Sequence, residues 1–349
     1  MGTLYTSAVG TPPVITSLAW LTWYKSLLAY RLAECSLTRG TTYYFAQSGN
    51  DSTGDGSSGN PWKTLSKAQA IHDAAGSTAN LRLRFKRGDT WKEPAGLQIT
   101  KNQVTVDDWS TGAKPIFSAF SASVSSGWTQ VGVTDVWYRT LSGATVCAWL
   151  RDTADPLGEA NGPYAKAANS SLTALQWYHD TGANTLYVNC GVGVSPNTKT
   201  LEWVIENAVS GVTMSGDLGR VQNIRCDGFG IRPSSYQSQK CGIQSTSTGS
   251  NANLFVNCES FFGSSHLLQH YNGGSSGGVA TFIGCVCGWM CPTCAANFTN
   301  LDALNDYAST GAQEAIFHGC SVLYGTLPDS ANGLQAASSV TMGQNARFG

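Results

Sequence analysis

An all-β solenoid, its chain turns stacked behind an N-terminal helix, is the fold this sequence predicts. Two observations carry that prediction. The first is composition. Of 349 residues only 12% are charged, while there are 39 glycines, 11 tryptophans, 13 tyrosines and 12 phenylalanines. Scarce charge with abundant glycine and aromatics suits short strands joined by tight turns. The second is a repeat. VQNIRCDGFG (221–230), LFVNCESFFG (254–263), TFIGCVCGWM (281–290) and IFHGCSVLYG (316–325) each run from an apolar pair through Asn or another residue to a cysteine, then to glycine or a turn. Cys226, Cys258, Cys285 and Cys320 are 32, 27 and 35 residues apart, one coil plus loops of varying length. Equivalent residues of a solenoid stack in rows. The four cysteines are therefore expected in one inward row as small buried hydrophobes, with the Asn or Gly before each at a turn.

The elements follow in order. Residues 15–37 predict a helix, with Thr16 or Ser17 at its start, Arg39-Gly40 at its end and a wide apolar face from Leu18 to Leu32. Such a face must be covered by the fold's end or by another subunit. TTYYFAQ (41–47) reads as a strand, SGNDSTGDGSSGNPWKTLSKAQAI (48–71) as a turn-rich loop running into a short helix at about 62–74. LRLRFKRGDTWKE (81–93) alternates as a strand and stops at Gly-Asp. KPIFSAF (114–120), DVWYRTL (135–141) and NTLYVNC (184–190) also read as strands, in early coils that carry an inserted β region at about 124–200. SVTMGQNARFG (339–349) begins another coil. An uncovered last coil would expose a sheet edge, so either the chain continues or another subunit covers it. The domain reading is 1–40, a helical cap, and 41–349, the solenoid.

The run TTYYFAQ, GNDSTGDG, PWKTLSKA and LRLRFKRGDTW resembles the opening of right-handed parallel β-helix proteins of the pectin-lyase-like superfamily. WYHDTGANTLYVN (177–189) resembles a β hairpin that precedes the main coils in such proteins. The resemblance covers residues 41–349 and implies a right-handed parallel β-helix with an N-terminal α-helical cap. That superfamily includes lyases, hydrolases, epimerases, phage tailspikes and inert structural proteins, so function has to come from particular residues.

Charge removes some classes. With 21 Lys+Arg against 22 Asp+Glu the net charge is −1. Nothing favours nucleic acid or an anionic membrane. Residues 13–35 carry Lys25 and Arg31, which makes them a poor membrane span. The N-terminus reads as lacking a secretory signal. Asp302, Asp306 and Glu259 are the candidate catalytic carboxylates, with Glu314 nearby, because a carboxylate pair can serve as acid and base on a glycosidic bond. The alternative for each is a solvated loop position. His266 and His270 in GSSHLLQH, with Trp289 and Tyr307, are the candidate substrate contacts. The histidines could equally be ordinary loop residues, and no Glu follows as in a metalloprotease helix. From Cys241 to Ala346 there is no Lys or Arg. A uronate lyase, which must neutralise the sugar carboxylate and abstract a proton, is therefore disfavoured in the later coils. The loop from Asp51 to Gly56 partly matches a calcium loop, but Trp62 stands where the closing acid belongs, so it reads as a turn. Arg82, Arg84, Lys86, Arg87 and Lys92 read as a solvated basic face or a site for an acidic partner. No metal or cofactor is expected.

In CVCGWMCPTC (285–294), Cys285 and Cys287 are expected inside. Cys291 and Cys294 stay open between reduced thiols, a local disulfide and half of a zinc site. The functional expectation is a bacteriophage virion component of tailspike or tail-fibre kind, a homotrimer that binds a host polysaccharide and could depolymerise it. Its N-terminal helix would contact other virion proteins, and its location would be the virion after synthesis in the host cytoplasm. The alternatives are an extracellular bacterial polysaccharide hydrolase or lyase, and a non-catalytic structural protein of an assembly.

Overall fold

The computed structural model describes residues 39–120, 122–141, 147–155, 163–205, 210–229, 241–246, 252–263, 266–272, 279–290, 302–308, 314–326, 339–341 and 347–348, together with Lys25, Ser26 and Ala29. Those three isolated residues are helical and exposed; the rest of the helix read over 15–37 lies outside the described residues.

The described chain is mostly β. After β1 (Thr41–Phe45) and α1 (Leu65–Ala74) come β2 (Thr78–Lys86), β3 (Thr90–Trp91) and β4 (Leu97–Ile99), then β5 (Asn102–Trp109) and β6 (Ile116–Ser118). Eight strands follow: β7 (Ala122–Val124), β8 (Thr129–Gln130), β9 (Trp137–Thr140), β10 (Cys147–Asp152), β11 (Ala165–Lys166), β12 (Gln176–Asp180), β13 (Thr185–Asn189) and β14 (Leu201–Ile205). The earlier pattern then resumes with β15 (Val212–Met214), β16 (Arg220–Gln222), β17 (Arg225–Asp227), β18 (Cys241–Thr246), β19 (Ala252–Val256), β20 (Glu259–Gly263) and β21 (His266–Asn272). It closes with β22 (Val279–Ile283), β23 (Val286–Met290), β24 (Asp302–Ala308), β25 (Glu314–His318), β26 (Ser321–Thr326), β27 (Ser339–Thr341) and β28 (Arg347–Phe348).

Three parallel sheets collect these strands. The first runs β1-β2-β5-β16-β19-β22-β25-β28, the second β3-β6-β17-β20-β23-β26, the third β4-β15-β18-β21-β24-β27. From β2 onward the chain visits first, second and third sheet in turn, then starts again one strand further along. Between β6 and β15 it departs to build an antiparallel sheet, β10-β14-β7, and a mixed one, β11-β12-β13-β9-β8, in which β11 and β12 run parallel. These have their own core, including Trp128, Leu150, Trp177, Leu186 and Trp203.

Side-chain alternation decides which face is buried. In β2, Leu81, Leu83 and Phe85 point into the core while Arg82, Arg84 and Lys86 take the other side. In-register pairing then stacks like on like. Phe255, Phe282 and Phe317 lie on successive first-sheet strands with ring centroids 4.6 and 4.9 Å apart and planes 10° and 11° apart. On the second sheet the inward row is Trp91, Phe117, Cys226, Ser260, Cys287 and Val322.

That row corrects the cysteine reading. Cys226 aligns with Cys287 through Ser260, not with Cys258. Cys258, Cys285 and Cys320 each stand one residue before a second-sheet strand, and Ile224 occupies that place in the preceding turn. The turn residue sets the register: Asn223, Asn257, Gly284 and Gly319 adopt φ of 56°, 50°, 59° and 59°, a region open chiefly to Gly and Asn. Counted from those residues, Cys226 sits two positions late. Cys285 and Cys287 are both fully buried, and Cys291 and Cys294 lie outside the described residues.

The GNDSTGDG loop is a turn scaffold. Asp51 accepts from the Lys63 and Thr64 amides (2.7 and 3.2 Å) and from the Thr64 hydroxyl (2.6 Å), while Thr64 in turn caps α1 by accepting from the Lys67 amide at 2.9 Å. Near the other end of α1, fully buried His72 accepts from the Thr100 and Lys101 amides through Nε2 (3.1 and 3.2 Å). Its Nδ1 is therefore the protonated nitrogen and donates to Asp73 at 2.8 Å.

Candidate functional site

The candidate catalytic and contact residues fall on the second and third sheets, with Glu314 on the first. Asp302 and Asp306 lie on β24 with His266 opposite Asp302, His270 opposite Asp306 and Tyr271 opposite Tyr307. The side chains of His266, Asp302, Asp306, Tyr307 and Glu314 are outside the described set. Four strand positions separate the Asp302 and Asp306 backbones by about 13 Å at ~3.3 Å per residue. Retaining and inverting glycosidases hold their carboxyl groups about 5–5.5 Å and about 6.5–9.5 Å apart. Glu259 begins β20 on the second sheet, whereas Asp302 and Asp306 lie on the third.

Two of the proposed substrate contacts are buried. His270 is fully buried, as are Leu267, Leu268 and Gln269 before it on β21. Trp289 is 9% exposed and belongs to the main hydrophobic core, at φ 57°.

Glu259 does reach the surface, with its side chain 24% exposed. Lys114 Nζ donates to Glu259 Oε1 at 2.6 Å and to Asn257 Oδ1 at 2.9 Å. Asn257 Nδ2 donates to Asn223 Oδ1 at 2.7 Å, and Asn223 Nδ2 to Asp108 Oδ1 at 2.7 Å. Asp108 also binds Arg87. The positive-φ turns thus line up their amides as a polar strip along the corner between first and second sheets. It offers a carboxylate and an ammonium in contact, among amides suited to hydroxyl groups.

Beside it, the insertion is clamped onto the second sheet. Fully buried Asp227 accepts from Arg225 Nε and Nη2 (2.8 and 2.7 Å) and from Arg151 Nη1 (3.0 Å). Arg151 Nε donates to Glu202 Oε1 at 2.7 Å, and Lys92 Nζ to Glu202 Oε2 at 2.8 Å. The Arg151 guanidinium lies 3.8 Å from the Phe120 ring centroid, and that of Arg225 5.0 Å from Phe261. Burial alone would raise the Asp227 pKa, but Arg225 and Arg151, by charge and hydrogen bond, outweigh it and hold the carboxyl below its ordinary range. Both carboxylates are saturated by cations, which suits a joint more than a reacting centre. Sequence reasoning missed this clamp, although the Arg-Cys-Asp spacing already puts Arg225 and Asp227 on one side of a strand.

The arginines of the basic run are held by carboxylates. Arg82 and Arg84 pair with Asp107, and Arg87 with Asp108. Burial pushes the Asp107 carboxyl up, with Arg82 and Arg84 pulling the other way.

No protein-family model matches the chain, and no curated protein matches it in sequence. Among solved structures, a glycoside hydrolase superposes with a TM-score of 0.50 at 11% identity, over 82% of this chain and 73% of its own. The likeness is one of fold. XylC solved with xylose gives a TM-score of 0.46 at 11% identity, over 82% of this chain and 63% of its own. A rhamnogalacturonan lyase gives 0.37 at 10% identity, over 81% and 56%.

Proposed function

We propose that the chain is a parallel β-helix protein that binds and hydrolyses a neutral polysaccharide, with Glu259 as a catalytic carboxylate oriented by Lys114. The cyclic order of the three sheets supports the β-helix reading, and the resemblance of residues 41–349 supplies its right hand. A glycoside hydrolase shares the fold over 82% of this chain. The observation that carries the choice of substrate is the placement of the cations. Arg82, Arg84, Arg87, Lys114, Arg151 and Arg225 each pair with a carboxylate, and no Lys or Arg occurs from Cys241 to Ala346. A polyuronate would find its charges unmatched there, whereas sugar hydroxyls find the amides of Asn223 and Asn257.

The test is incubation with xylan, glucomannan, galactan and polygalacturonate. Release of reducing ends from a neutral polymer, lost in Glu259→Gln, is the expected outcome. Cleavage of polygalacturonate alone, with an ultraviolet-absorbing unsaturated product, overturns the choice. Loss of hydrolysis in Asp302→Asn or Asp306→Asn with Glu259→Gln still active moves the catalytic carboxylates to the third sheet, beside His266 and Tyr307. The narrower placement in a virion tailspike, trimeric through residues 15–37, rests on the sequence. Light scattering that shows a monomer removes the trimer.

A further inference from the structure

On the five-stranded sheet of the insertion, Tyr178 of β12, Tyr187 of β13 and Tyr138 of β9 are directly opposite one another in register across antiparallel strands. Tyr178–Tyr187 centroids are 6.2 Å apart with planes 30° apart, and Tyr138–Tyr187 centroids 6.1 Å apart with planes 38° apart. All three are half-buried. The alternate residues Trp177, Leu186 and Val188 go into the insertion's own core, so the tyrosines occupy the sheet's other face. We infer that this tyrosine ladder is a binding platform for a neutral glycan chain laid across the three strands.

Chemistry on the page selects that occupant. Half-exposed tyrosines present ring surface for the C–H face of a pyranose and hydroxyls for its rim. The other described positions of this face are Thr129 beside Tyr138, Ala165, Gln176 and buried Asn189 to one side, and Asp180, buried Thr185 and Thr140 to the other. The Asp180 carboxylate accepts from the Gly182 and Ala183 amides at 2.9 and 3.0 Å. The cations of these strands go elsewhere: Lys166 lies over Trp177 of the core face, and Arg139 donates to the Ser126 carbonyl. The Gln176 amide and the exposed hydroxyls of Thr129 and Thr140, with no cation among these described positions, match a neutral polymer rather than a polyanion. Stacking fixes each ring through two dihedrals only, so ordering the platform costs little entropy.

This platform deepens the polysaccharide reading and rests on it for the class of ligand, but its readout is separate. Native affinity electrophoresis of the full chain in gels containing xylan, glucomannan, galactan or polygalacturonate measures binding by mobility, and the proposed hydrolysis is read by reducing ends. Retardation in a neutral gel is expected, and Tyr138→Ala and Tyr178→Ala should each weaken it about five-fold or more, the usual consequence of truncating an aromatic anchor. Tyr178→Phe, which keeps the ring, should retain most of it. Thermal melts of each variant separate lost binding from lost folding. No retardation in any neutral gel overturns the inference, as does retardation by polygalacturonate alone or unchanged mobility in the well-folded alanine variants.

Discussion

Replacing Asp227 by asparagine tests the clamp. The substitution keeps shape and volume but removes one negative charge from a site with no solvent exposure, facing Arg225 and Arg151. One of the two oxygens that accept from Arg225 and Arg151 becomes an NH2 group, so a donor faces donors. Breaking a buried pair by removing one partner costs about 3–5 kcal/mol, because the remaining charge is left uncompensated. With an unfolding entropy of about 2.1 cal/mol/K per residue, 349 residues give about 0.7 kcal/mol/K, and hence a Tm lower by about 4–7 °C. The assay is a thermal melt near pH 7, repeated in acid. Because the native carboxyl titrates below its ordinary value of 3.8, its contribution is complete above that value and is lost as the pH falls through the lower native one. The gap between wild type and Asp227→Asn should therefore close in strong acid. A variant that melts with wild type at pH 7, or a gap that persists unchanged in acid, would refute the reasoning.

Three further outcomes follow from other parts of the molecule. Burial pushes the His72 pKa below its ordinary 6.5, with Asp73 opposing, so the stability His72 contributes is intact above pH 6.5 and declines as the pH drops towards its native value; melts from pH 8 to 5 should show a shallower decline in His72→Gln, and identical slopes would exclude this role. Phe282→Ala removes the middle ring of the Phe255–Phe282–Phe317 stack and should cost about 3–5 kcal/mol in denaturant unfolding. At Gly284, φ is 59° and an added Cβ would meet nothing within 4 Å, so Gly284→Ala isolates backbone strain; about 1–2 kcal/mol is expected, and less for Gly284→Asn.

The strands were legible because their pattern is local. The alternation of β2 and the repeat around Val221, Phe255, Phe282 and Phe317 marked the inward face directly. The register was less so: a shared cysteine looked like the landmark, whereas the backbone obeyed the positive-φ residue, and Asn223 is three positions before Cys226 where Asn257 is one before Cys258. The burial of His270 was not legible either, because adjacent Leu267 and Leu268 are both buried and alternation along β21 does not single out one inward face. Lys114, Arg151 and Glu202 carried no signal at all. Their partners are 145, 76 and 110 residues away, and only folding brings such pairs together.

The insertion leaves the stack after Ser118, which pairs with Asp227, and returns at Val212, which pairs with Ile243. Both ends are thus fixed by neighbouring strands of the next turn, and the excursion between them behaves as a cartridge that could be exchanged. Arg151 and Glu202 make it a keyed cartridge. Any replacement module must bring its own cation to Asp227 and its own anion to Lys92, or the socket beneath it must be redesigned at the same time.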